Sequence, residues 1–116
     1  MRRLSFVPFL LLLACVTAAV DRSAWPALEL VWPRIEPEAR LGADAAGLAS
    51  ISDFAIALGA RDALGVNMAW PGVRRCAVAG VELRHAVGEL GETGQRKFLD
   101  RIEAVDELVA ALRGAQ

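Results

Sequence analysis

The sequence predicts an all-α fold, a small three- or four-helix bundle that ends in an antiparallel helical hairpin. Three observations predict it. Apolar residues recur at three- and four-residue spacing through most of the chain after Pro37. No stretch shows the apolar/polar alternation of a half-buried strand. The composition leans towards helix, with 22 Ala, 12 Arg and no Tyr among 116 residues. Beyond the first twenty positions, residues 21–116 have the length of one domain and enough apolar content to bury a core.

Residues 1–20 stand apart from that body. Arg2 and Arg3 precede an apolar run from Leu4 to Leu13, and small residues follow from Ala14 to Ala19. A charged start, an apolar middle and a small-residue end make the order of a secretory signal peptide. Leu4-Ser5-Phe6 after the arginines departs from the twin-arginine pattern, so the pair reads as an ordinary charged start. Leu12-Leu13-Ala14-Cys15 resembles the lipobox of bacterial lipoproteins, in which a small residue precedes the cysteine that is diacylated and becomes the new N-terminus. The resemblance implies lipidation at Cys15. With Val16 rather than Asp after the cysteine, it also favours the outer membrane. Two other fates compete: cleavage after Ala18 or Ala19, at small-x-small sites, would release a periplasmic or secreted protein. An uncut Leu4 to Val20, 17 residues, would sit at the lower limit for a membrane anchor. All three place the domain outside the cytoplasm, in the cell envelope or beyond it.

Prolines punctuate the body. Pro26, Pro37 and Pro71 each precede a helix-permissive stretch, as Pro does at a first helical position, and so are expected to mark helix starts. A short first helix from Pro26 to Trp32 is expected to end or kink at Pro33. From Glu38 to Leu58 the stripe Leu41, Ala45, Leu48, Ile51, Ala55, Leu58 predicts a second helix. Ser50, with Asp53 three residues on, could divide it. Gly59 to Ala69 is ambiguous: Asp62 could cap a short helical turn, or Val66 to Trp70 could be extended.

The hairpin is clearer. Val73, Cys76, Gly80, Leu83, Val87 and Leu90 form one stripe of a helix of about twenty residues, with Arg74, Arg75, Glu82, His85 and Glu89 opposite. Gly80 on the inward stripe would admit a neighbouring helix at close range. Gly88, Gly91 and Gly94 mark the turn. Gln95 to Arg113 then carries Phe98, Ile102, Val105, Val109 and Leu112 inward, with Arg96, Asp100, Glu103 and Glu107 outward.

Charge and motifs narrow the function classes. Thirteen basic side chains less Arg2 and Arg3 leave eleven against fourteen acidic ones, a balance of −3 for residues 21–116. That excludes an electrostatic nucleic-acid binder. Cys15 lies in the signal, so Cys76 is left alone, and its place on the apolar stripe predicts a buried thiol, the alternative being an intermolecular disulfide. Glu82, His85 and Glu89 share a helix face and are the weak metal candidates, although a single Glu-x-x-His on a solvated face falls short of the paired copies that a carboxylate-bridged site needs. No nucleophile, base and orienter come together, so no catalytic residue is assigned and no cofactor is expected.

All three tryptophans precede proline, at Trp25-Pro26, Trp32-Pro33 and Trp70-Pro71. Trp25, Leu28, Trp32 and Ile35 form one stripe if the first segment is helical across Pro33, and that stripe, with Trp70, is the candidate partner-binding surface; otherwise these residues pack the core. The sequence thus reads as a lipid-anchored envelope protein, a small helical binding or adaptor protein. A small secreted periplasmic enzyme or metal-binding protein, and a structural or oligomeric envelope subunit, are the alternatives.

Overall fold

The computed structural model describes residues 24–114, and the expected signal with Cys15 lies outside the described residues. Within them the regular structure is helical throughout, with no strand. Helix α1 covers residues 24–41, α2 Ala45–Gly59, α3 Ala63–Ala86 and α4 Glu92–Gly114. None of the described helices is long and apolar enough to cross a membrane.

Proline placement is where the structure corrects the sequence reading most. Pro33 and Pro37 lie inside a continuous α1, and Pro71 lies well inside α3, so they do not mark ends or starts. Each proline removes one intrahelical hydrogen bond, leaving the carbonyl four residues earlier unpaired. Pro33, Pro37 and Pro71 all face solvent, where water can take that carbonyl. The opposite face of α1 buries Trp25, Leu28, Ile35 and Ala39. A helix interrupted at Pro33 would split that face, so burial outweighs the lost bond.

The expected helix from Glu38 to Leu58 breaks earlier than Ser50. Its first residues finish α1, and α2 begins where the Asp44 side chain accepts the Gly47 backbone N–H at 2.8 Å, an N-cap. The buried face of α2 is Gly47, Ile51, Phe54, Ala57 and Leu58, while Leu41, Ala45 and Leu48 of the expected stripe are exposed. Of the two readings for residues 59–69, the helical one holds, and Asp62 caps a far longer helix than one turn by accepting the Gly65 N–H at 3.1 Å. Helix α3 ends at Ala86 rather than Leu90, so Leu83 and Val87 are exposed while Val73, Cys76 and Gly80 are buried. The expected stripe of α4 is inward, with Ile102, Val105, Val109 and Leu112 buried and Phe98 half-buried.

Helix α3 is the central element. Both α2 and α4 pack on it, and their backbones do not come close to each other. With α4 it forms the expected hairpin: Asn67 meets Arg113, Arg74 meets Asp106, and Arg84 lies over Phe98. Helix α1 runs beside α2, where Trp32 and Phe54 touch, and its last turn crosses α3. At that crossing a methyl group on Gly80 would overlap the Glu38 carbonyl oxygen, and one on Gly42 would overlap the Cys76 carbonyl oxygen. Only glycine lets the two backbones approach this closely, so the expectation for Gly80 holds, with α1 as the neighbour.

The turns after α2 and α3 are alike. In the first, the Arg61 N–H donates to the Leu58 carbonyl and the Asp62 N–H to the Ala57 carbonyl; in the second, Gly88 donates to His85 and Glu89 to Arg84. Both are Schellman caps, whose pivotal residue is left-handed. Gly88 fills that position in the second with φ 81°, and Arg61 fills it in the first with φ 51°.

Candidate functional site

The tryptophans of the expected partner-binding stripe are built into the interior. Trp25, Leu28 and Trp70 are buried, and Trp32 is partly buried against the core. The rings form a ladder across the bundle, with Trp32 of α1 4.7 Å from Phe54 of α2, and Phe54 5.7 Å from Trp70 of α3. The ladder ends in a polar knot. Trp70 donates its indole N–H to Asp106 Oδ1 at 2.7 Å, and Arg74 Nε donates to both oxygens of the same carboxylate at 3.0 Å. A buried indole needs such an acceptor, and this one joins α3 to α4. Asp106 was not legible as a partner for Trp70, since 36 residues separate them. What the arrangement does chemically is hold four helices in register.

Glu82, His85 and Glu89 do not converge. His85 Nδ1 lies 2.8 Å from the Leu90 carbonyl oxygen, which can only accept, so the ring donates there and fastens the α3–α4 turn. Glu89 Oε2 pairs with Arg84 Nε at 3.5 Å, and Glu82 is exposed. Among the described residues no group of three or more His, Cys, Asp or Glu side chains is placed to hold a metal ion. Cys76 is a buried free thiol at the α1–α3 crossing, as its stripe position predicted.

One charged group is nearly enclosed. Glu38 of α1 is 5% exposed, with Oε1 paired to Arg84 of α3, while Oε2 is buried without a hydrogen-bond partner. Arg84 and Arg101 both lie over the Phe98 ring, at 5.8 Å and 4.8 Å, which adds cation–π attraction to the same junction of α1, α3 and α4. The Glu38–Arg84 pair joins α1 to α3 as a structural clasp.

The surface offers a different candidate. The start of α1, the α2–α3 turn and the end of α4 lie at one end of the bundle, tied by Arg61 to Glu29 at 3.5 Å and Arg113 to Asn67 at 3.1 Å. At this near end large apolar side chains stand in the open: Leu30 is 79% exposed, Ile56 69%, Leu64 59% and Met68 75%. Ile56 and Met68 flank an open groove of about 370 Å³ between α2 and α3, floored by Ala57, Gly65 and Ala69 with Asp53 at its edge. The far end also shows apolar residues, but Leu41, Leu48 and Leu83 are only about half-exposed, and Val87 alone matches the near-end values. The sequence reading missed this near-end face. Leu64 and Met68 are one helical turn apart, a signal hidden because residues 59–69 had no clear period.

Comparison of the chain with protein-family models, with curated proteins and with solved structures finds no match.

Proposed function

We propose that this chain is an envelope protein held on a membrane by lipid at Cys15, and that its helical domain acts as a binding or adaptor module rather than by turnover. The observation that carries the address is the lipobox-like Leu12-Leu13-Ala14-Cys15 behind a charged start and an apolar run. A diacyl anchor gives stable attachment where one acyl chain gives marginal binding. Residues 16–23 link the cysteine to α1, and at ~3.3–3.6 Å per residue they hold the start of the bundle within about 30 Å of the lipid. Binding rather than turnover is supported by the use made of the ionisable groups. Glu38, His85 and Asp106 are engaged in helix-to-helix or turn contacts, and Asp44 and Asp62 are caps.

Detergent phase partitioning of the full chain from a bacterial host tests the anchor. The reading predicts that the protein enters the detergent phase carrying the added mass of diacylglycerol, and that Cys15→Ala removes that mass. Recovery of the unsubstituted chain in the aqueous phase contradicts it, and so does recovery in the detergent phase without the lipid mass, which would mean an uncut apolar segment.

A further inference from the structure

The near end of the bundle is the end at which the described chain begins. Ala24, where the described chain begins, is at the end that carries Ile56, Leu64 and Met68, and only eight residues separate it from Cys15. We propose, on the basis of the lipid-anchor reading, that this end rests on the lipid surface, with Ile56, Leu64 and Met68 immersed in the interface. The orientation follows from three features taken together.

First, the tether is short. A bundle attached at Ala24 cannot stand on its opposite tip, where Val87 follows α3, without carrying Ala24 away from the lipid by about the length of α3, which at 1.5 Å per residue is about 36 Å. That exceeds the roughly 30 Å that eight extended residues can span. Second, exposed apolar side chains of this size gathered in one place mark a protein or membrane contact, and Leu30 at 79% and Met68 at 75%, the two most exposed large apolar side chains among the described residues, are at this end. Third, the local chemistry suits an interface between water and lipid. Arg61 and Arg113 flank the face and can reach headgroup phosphates along their flexible stems, while Leu64 and Met68 project one turn apart from a single side of α3. A bundle standing this way holds the far end, with Leu83 and Val87, away from the membrane.

The test uses the full chain with its lipid, reconstituted into vesicles of phosphatidylethanolamine and phosphatidylglycerol. Nitroxide labels are placed at Met68→Cys, Ile56→Cys or Leu83→Cys, all exposed positions, against the unsubstituted chain as control for reaction at the buried Cys76. Helical circular dichroism matching the unsubstituted chain qualifies each variant, and Ile56→Cys stands in should Met68→Cys not fold. At positions 68 and 56 collision with a water-soluble nickel chelate is expected to fall several-fold relative to position 83, while collision with oxygen, which concentrates in lipid, rises. A lipidated chain whose label at 68 or 56 stays as accessible to the chelate as at 83 overturns the orientation and leaves the anchor standing. Spin–spin broadening at 68 also overturns it, because the face is then covered by a second copy. A chain whose mass shows no added lipid removes the anchor and the orientation together.

Discussion

The two ends of the bundle are closed by different means. At the far end α1 meets α3 backbone to backbone through Gly42 and Gly80, the Glu38–Arg84 pair is sealed beneath, and the following turn places Gly88 at its left-handed residue. At the near end an equivalent turn places Arg61 in the left-handed region, and Ile56, Leu64 and Met68 are left uncovered. The two bonds that define each Schellman cap match, and the second turn adds one from Leu90 to Arg84, so the contrast lies mainly in the side chains. A left-handed conformation costs a residue other than glycine about 1 kcal/mol. The far end therefore fixes the helices against one another with two glycines and a buried ion pair, although Leu41, Leu48, Leu83 and Val87 stay exposed there, whereas the near end keeps more apolar surface and a mildly strained residue. That division is what a domain with one end turned to another phase needs.

The comparison can be broken first at the crossing. Gly80→Ala forces a methyl group into the Glu38 carbonyl, so α1 must shift, and stability in urea should fall by about 3 kcal/mol. Gly91→Ala, in open space at the N-cap of α4, should cost no more than about 1 kcal/mol. Equal effects would mean that the crossing is not tight. Next in size is Arg84→Ala, which leaves the Glu38 carboxylate buried with neither oxygen paired. Loss of about 2–3 kcal/mol is expected, at the lower side of the range for a broken buried pair because Arg84 is itself 28% exposed. Recovery in the Glu38→Leu/Arg84→Ala double variant would confirm that the unpaired charge is the cause.

Smaller effects sharpen the contrast between α3's neighbours. Trp70→Phe keeps an aromatic ring near Phe54 but removes the indole donor, while Asp106 retains Arg74, so thermal unfolding should report a loss of about 1 kcal/mol. An unchanged midpoint would show that the Trp70–Asp106 bond adds nothing to the α3–α4 contact. At the near end Arg61→Gly should raise stability by about 0.5–1 kcal/mol, since relief of the left-handed residue outweighs an exposed Arg61–Glu29 pair. A decrease in chemical-denaturation midpoint would place more weight on that ion pair than its exposure allows.

What the sequence made legible is the part whose signal is local. The stripe Ile102, Val105, Val109, Leu112 and the glycine at 88 are periodic or conformational marks, and α4 and its turn follow them. Gly80 was readable as a site of close approach because it interrupts an otherwise apolar stripe. The prolines misled because their effect depends on which side of a helix faces water, and Pro33, Pro37 and Pro71 all face it. In α2 the apolar residues are numerous enough to draw two stripes, and the one containing Phe54 and Ala57 won because it meets Trp32 and α3. The candidate site was the least legible part. An exposed apolar face such as Ile56 with Met68 is composed of residues that periodicity assigns to a core, and only the packing shows that nothing in the described chain covers them.

Lipid at Cys15 is tested most directly by the intact mass of the protein recovered from the membrane fraction. A mature chain beginning at Cys15 with the added mass of diacylglycerol, absent from the Cys15→Ala variant, is the predicted result. A chain that begins after Ala18 or Ala19, or that retains residues 1–20 without lipid, would contradict it.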